Sequence, residues 1–214
     1  MDFSTTVNRD KNGTLLAYIC LNVPGINLRK LLKLVYLIDE KFVITRCFPL
    51  TWFSYYAWEK GPVASEVYDI KNGGFSDFVC CKKNKEGQNI VFPIKKKNCE
   101  SINMDEFSQY EINLIDSVLN EFGHKSADEL SDYTHRKDSL WTKTVSEKHV
   151  VFDDGKSNVA IDLDEMNDDE GKKKSIWKLW NICKFVREML RAKNIIYGYC
   201  LRTTPNKYKY SIIT

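Results

Sequence analysis

Ala57-Trp58-Glu59-Lys60-Gly61-Pro62-Val63, with Glu66-Val67-Tyr68 close behind, is the stretch that decides how this chain turns. Gly61 can take backbone angles closed to other residues. The proline after it disfavours helix at Gly61, and Pro62 itself has a fixed φ and no N–H to donate. A forced turn is therefore expected between an aromatic run (Trp52, Phe53, Tyr55, Tyr56, Trp58) and a new short element. The signal is architectural, because none of these side chains is a natural nucleophile or metal ligand.

Working outward, Thr14 to Asn22 reads as a short first helix, stopped before Pro24-Gly25. Asn27 is a plausible N-cap. Behind it Leu28, Leu31, Leu32, Val35, Ile38 and Phe42 recur at helical spacing, which predicts a helix over 28–44 with Lys30, Lys33 and Asp39 off its apolar stripe. Leu50 to Trp58 reads as extended, and Ala64 to Lys71 as one or two helical turns. Phe78 to Cys81, then Asn84-Lys85-Glu86-Gly87, then Ile90 to Phe92 is a hairpin signature. Residues 105–122 read as a helix ended at Gly123, and Ser126 with Glu129 as a capping box that opens a helix over 127–135. Acids cluster over 162–170 ahead of Lys172, Lys173 and Lys174, the pattern of a charge-block linker. A last helix is expected over 175–193 and a second hairpin over 195–213.

The chain has 214 residues, 43% hydrophobic and 29% charged, enough for one domain or one domain with an appendage. A net charge of +3 is too small to imply nucleic acid by itself. No apolar run approaches the roughly 20 residues that span a bilayer. Met1 to Asn12 is polar and lacks a signal-peptide core, so a cytoplasmic location is expected, with no membrane partner. The seven cysteines are odd in number and contain no C-x-x-C pair, which fits free thiols in a reducing compartment.

Chemistry has few places to hide. Thr134-His135 stands near Asp132, Asp138 and Trp141, and His135 has the chemistry of a general base oriented by an acid. No nucleophile stands at matching spacing, so His135 is expected to end its short helix while Trp141 packs into the core. Gly73-Gly74 is a bare pair and no phosphate-binding loop. The acids over 162–170 lack the spacing and central glycine of an EF-hand. Neither a metal nor a cofactor is expected, and no enzymatic activity. Lys82, Lys83 and Lys85, with Lys95 to Lys97, make the first hairpin basic, which is how a winged module touches a phosphate backbone. Exposed lysines also protect strand edges, and Glu86 and Glu100 dilute the patch.

Taken in order, these residues resemble a known family. A leucine-rich helix (Leu28 to Tyr36) is followed by Ala57-Trp58-x-x-Gly61-Pro62-Val63 with Glu66-Val67-Tyr68. A later helix leads to Gly123, Ser126-Ala127-x-x-Leu130, Thr134-His135 and Trp141. This is similar to the Panacea domain, also called the SocA-like or GepA-like phage-associated domain, over about residues 14–147. The family pattern usually has proline just before the tryptophan, where this chain has Leu140. The resemblance divides the chain into a Panacea domain, 1–150, and a C-terminal extension, 151–214, packed on the same domain.

What the resemblance implies is an antitoxin of a bacterial or phage toxin–antitoxin system. It would neutralise a cognate toxin by direct protein binding, and the best-known relative also hands its toxin to a ClpXP-type protease. Trp58, Gly61, Pro62, Val63, Tyr68, His135 and Trp141 are the family-motif or partner-binding residues. The expected fold is α+β and mainly α, a compact helical domain with small β-hairpins. The rival function is a nucleic-acid-binding regulator of a phage or mobile-element operon.

Overall fold

Helix α1 spans Arg9–Asn22 in the computed structural model, which describes residues 9–94 and 104–166. The chain divides into two units, Met1–Asp168 and Asp169–Thr214, and everything described lies in the first. The helix expected over 175–193 and the hairpin expected over 195–213 lie outside the described residues. The α1 helix begins five residues before the sequence reading placed it, and tertiary contacts explain why. The ring of Phe78 lies 2.3 Å from where a Cβ on Gly13 would stand, so glycine is the residue that fits the packed helix there. Asn12 is buried and donates to the Thr51 carbonyl at 3.0 Å, and Lys11 pairs with Glu111 at 2.8 Å.

Helix α2, Leu28–Arg46, is the centre of the fold. Asn27 caps it with extended backbone angles, its side-chain oxygen accepting from the Lys30 N–H at 2.8 Å. At the far end Cys47 is left-handed (φ 66°) and its N–H bonds the Val43 carbonyl. Leu31, Leu34, Val35, Tyr36 and Ile38 are fully buried, each contributing on the order of 2 kcal/mol of apolar burial. The helix is covered on several sides, by α1 and by elements defined below.

Strand β1, Tyr55–Trp58, and strand β2, Gly61–Ala64, pair antiparallel with Tyr55 opposite Ala64 and Trp58 opposite Gly61. The extended segment expected over 50–58 is thus a strand only from Tyr55. Residues before it are irregular because the buried Asp39 takes their hydrogen bonds. Its carboxylate accepts the N–H of Leu50 (2.8 Å) and of Thr51 (2.9 Å), the Tyr55 hydroxyl (2.7 Å) and the Thr51 hydroxyl. Burial raises the Asp39 pKa, and the hydrogen bonds that favour its ion offset part of that shift.

After β2 come a single turn of helix, α3 (Ser65–Tyr68), and a 3-10 turn (Asp69–Asn72). Strands β3 (Val79–Lys83) and β4 (Asn89–Pro93) form the expected hairpin, with Val79 opposite Pro93 and Lys83 opposite Asn89. The Val91 N–H bonds the Ile26 carbonyl at 2.9 Å, which ties this hairpin to the loop before α2.

Three capped helices follow. Helix α4 is Gln109–Phe122, shorter at its start than the sequence reading because Ser108 and Glu111 form a capping box there. Helix α5 is Ala127–Thr134, with the expected Ser126–Glu129 box. Helix α6, Leu140–Glu147, has no counterpart in the sequence reading; Ser139 caps it at the Thr142 N–H, and Leu140 is its first residue, a position at which proline is readily accommodated. Strand β5, Ala160–Ile161, then pairs with β1, so the small sheet has the order β2-β1-β5. A 3-10 turn, Leu163–Met166, ends the described chain and packs on α2, as do α4, α5 and β2. The fold is α+β and mainly helical.

Asp39→Ala leaves four donors around a buried site without their acceptor. We expect a loss of about 3–5 kcal/mol in urea unfolding, with Asp39→Asn losing less. A loss under about 1 kcal/mol for the alanine variant would show that the network does not hold the 50–55 segment.

Candidate partner-binding cleft

The β1–β2 turn is built on Gly61. With Trp58 opposite Gly61, Glu59 and Lys60 are the two turn residues, and Gly61 has φ +100°. Two constraints meet there. Positive φ excludes most side chains, and a Cβ would stand 2.6 Å from Thr134 Oγ1 and 2.8 Å from Lys33 Nζ. Pro62 lies on the edge strand opposite Ala57, whose N–H goes instead to the Val159 carbonyl at 2.9 Å. A residue with no N–H therefore costs the sheet nothing there.

The outward carbonyl of Pro62 accepts from Lys33 Nζ at 2.9 Å. Lys33 is 1% exposed, whereas the sequence reading set it off the buried stripe; Asp39, treated the same way, is 0% exposed. The reason is that α2 is packed on more than one face, so its polar residues must find partners inside the protein. The run Leu31 to Ile38, apolar apart from Lys33, was the available signal. Burial, and then the charge of Arg29, lower the Lys33 pKa from the ordinary lysine value to about 7.

Trp58 and Tyr68 meet edge to face, ring centroids 4.7 Å apart. The Trp58 carbonyl accepts from the Trp141 indole N–H at 2.9 Å. Trp141 stacks on His135, with centroids at 3.9 Å, and lies parallel to Phe152 at 6.3 Å. His135 is the C-cap residue of α5. Its pKa is lowered, first by burial and then by the charge of Lys33, and its Nε2 has no hydrogen-bond partner. Burial likewise pushes the Cys20 thiol up to about 12, so it is no thiolate at neutral pH. Among the described residues no His, Cys, Asp and Glu group is arranged to hold a metal ion, and no helix is long and apolar enough to cross a membrane.

The motif residues thus form one connected patch, from Trp141 through the Trp58 carbonyl to Gly61, Pro62 and Lys33. On its outer side is a cleft of about 790 Å³. Trp58, Tyr68 and Val63 line it, Lys33 and Arg29 come from α2, and the β3–β4 tip and the 154–156 turn also contribute. His135 and Trp141 support the cleft from behind and do not line it. The 154–156 turn is fastened to the β1–β2 turn by the Glu59 N–H, which donates to the Gly155 carbonyl at 3.0 Å. Asp154-Gly155 carries the sequence signal of a tight turn, which the sequence reading did not single out; where the turn docks is set by pairing between segments almost a hundred residues apart.

Residues 31–142 match the family described as antitoxin SocA-like, Panacea domain. The chain belongs to that family. No curated protein and no solved structure matches it. The Panacea match includes α2 from Leu31 onward, the β1–β2 turn, α5, His135 and Trp141, and ends before the 154–156 turn and β5.

Gly61→Ala is expected to destabilise by about 2–4 kcal/mol, from strain and contact together, and Gly87→Ala, at φ +78° with open space around it, by about 1 kcal/mol. Equal losses in denaturant unfolding would remove the steric part of this account. Lys33 gives a pH signature. Its folded pKa lies below its unfolded value, so the fold favours the neutral amine; that stability is present at high pH and lost as pH falls through about 7. Between pH 7 and 8.5 the native protein should gain up to about 2 kcal/mol relative to Lys33→Met. Parallel pH profiles for the two proteins would contradict it.

Proposed function

We propose that this chain is an antitoxin that neutralises a cognate toxin by direct protein–protein binding, occluding the toxin's working surface. The family match over residues 31–142 carries the reading. Two features support it. Trp58, Val63 and Tyr68 of the motif line a cleft with aromatic walls, the kind of surface on which buried aromatic anchors dominate binding energy. His135, the histidine within the family motif, is stacked against Trp141 and its Nε2 has no hydrogen-bond partner. The protein then acts by occupancy and not by catalysis. Delivery of the bound toxin to a ClpXP-type protease is a second outcome of the same binding, read as toxin turnover that depends on the antitoxin.

The test is co-expression with the adjoining gene. That gene alone should arrest growth, the pair should grow, and the two proteins should co-purify. Neutralisation in vitro should be stoichiometric, complete only when antitoxin matches toxin. Sub-stoichiometric neutralisation would indicate an enzyme. A harmless neighbour, together with salt-sensitive binding of this chain to its own operon DNA, would favour the regulator that uses the exposed Lys82, Lys83 and Lys85.

A further inference from the structure

We propose that the cleft beside Trp58 is a receptor for an acidic segment of a protein partner, an Asp- or Glu-bearing stretch whose apolar residue seats on Trp58 and Tyr68. The inference rests on the antitoxin reading for who the partner is, and on the cleft alone for its chemistry.

The charge balance is the first argument. Arg29, Lys33, Lys60 and Lys156 line the cleft against the carboxylates of Glu59 and Asp154. Arg29 is held by Asp128 at 2.7 Å. Among the described residues no carboxylate pairs with the other three. Lys33 is buried with its Nζ donating to the Pro62 carbonyl, so the cations open to a partner are Lys60 and Lys156, both exposed. Lys156 sits 5.5 Å over the Trp58 ring, and Lys71 next door 3.8 Å over Tyr68. Both lysines are exposed, so their ammonium groups remain available to an incoming carboxylate, and Trp58 and Tyr68 are half-buried, so part of each ring beside the ammonium is open to an apolar side chain.

Shape and placement are the second argument. A volume of about 790 Å³ holds several side chains at once. The walls are tied together by the Trp141–Trp58 hydrogen bond from behind and the main-chain Glu59–Gly155 bond between two lining turns, so less ordering of the main chain is needed on binding. A nucleic-acid backbone fits less well. Glu59 and Asp154 stand among the cations and interrupt the continuous basic track that phosphates require.

Random dodecapeptides displayed on phage are selected against the full chain, and the enriched peptides are synthesised and measured by fluorescence anisotropy. Acidic peptides with an aromatic or aliphatic residue should be enriched. Affinity should fall at least about tenfold in Lys60→Glu/Lys156→Glu and less than about threefold in Lys82→Glu/Lys83→Glu, which changes net charge equally. All four lysines are exposed, and an unchanged melting temperature confirms that each variant is folded. Equal losses in the two variants, enrichment without acidic residues, no enrichment at all, or tight binding of oligo-dT that the cleft variant abolishes would each overturn the proposal. The toxin separates the two readings. If the wild type neutralises its neighbour and Lys60→Glu/Lys156→Glu does so equally well, the cleft proposal falls and the antitoxin reading stands. If the neighbour is harmless, the antitoxin reading falls, and the peptide measurements still judge the cleft.

Discussion

A helix enclosed by protein cannot send its charged side chains to water, and α2 has two such residues that it must satisfy elsewhere in the chain. Asp39 gathers the N–H groups and hydroxyls of residues 50–55, and Lys33 reaches the carbonyl of Pro62. Between them they grip the β1–β2 hairpin ahead of its first strand and just past its turn. Leaving either group unpaired in the interior would cost several kcal/mol, so the hairpin's position on α2 is strongly specified. The aromatic wall of the cleft, the stack of His135 on Trp141 and the seat of the 154–156 turn all follow from where that hairpin is held.

The same arrangement explains what could be read in the sequence. Helices with local start signals were legible, since Asn27 and the Ser126–Glu129 pair act on their own neighbours within one turn. The β3–β4 hairpin was legible for the same reason, its turn and its flanking apolar residues being contiguous. The forced turn at Gly61 was visible as a turn, though not its second constraint, the approach of Thr134 and Lys33, which come from distant segments. Lys33 and Asp39 were misplaced because a single apolar stripe was taken to be the whole buried surface. Helix α6 was missed because Ser139 caps a short segment with no long apolar period to announce it. Trp58, Gly61, Pro62, Val63 and Tyr68 were picked out on pattern, and the structure places them around one turn. The cations that give the cleft its chemistry had no pattern to carry them.

Lys33 connects stability with the site in a specific way. Its ammonium is disfavoured by burial, so the fold would gain from a neutral side chain of similar length at that position. What the lysine contributes is a directed hydrogen bond to the edge of a sheet. A residue that costs stability where it stands, and spends its one hydrogen bond on the hairpin behind the cleft, is more readily understood as holding the site than as filling the core.

Strand β5 and the turn before it come from a part of the chain beyond the segment that the family match covers. One side of the cleft is therefore made by residues that also hold the core together, while the opposite lip is joined to β1 chiefly through main-chain hydrogen bonds at Glu59, Ala57 and the β1–β5 pairs. Main-chain bonds are indifferent to side-chain identity. The lip can thus be rewritten at Lys156 without disturbing what anchors it, while Asp154, at φ +48°, is confined to residues that tolerate the left-handed region. A scaffold of this kind can track a changing partner by altering only its outer edge.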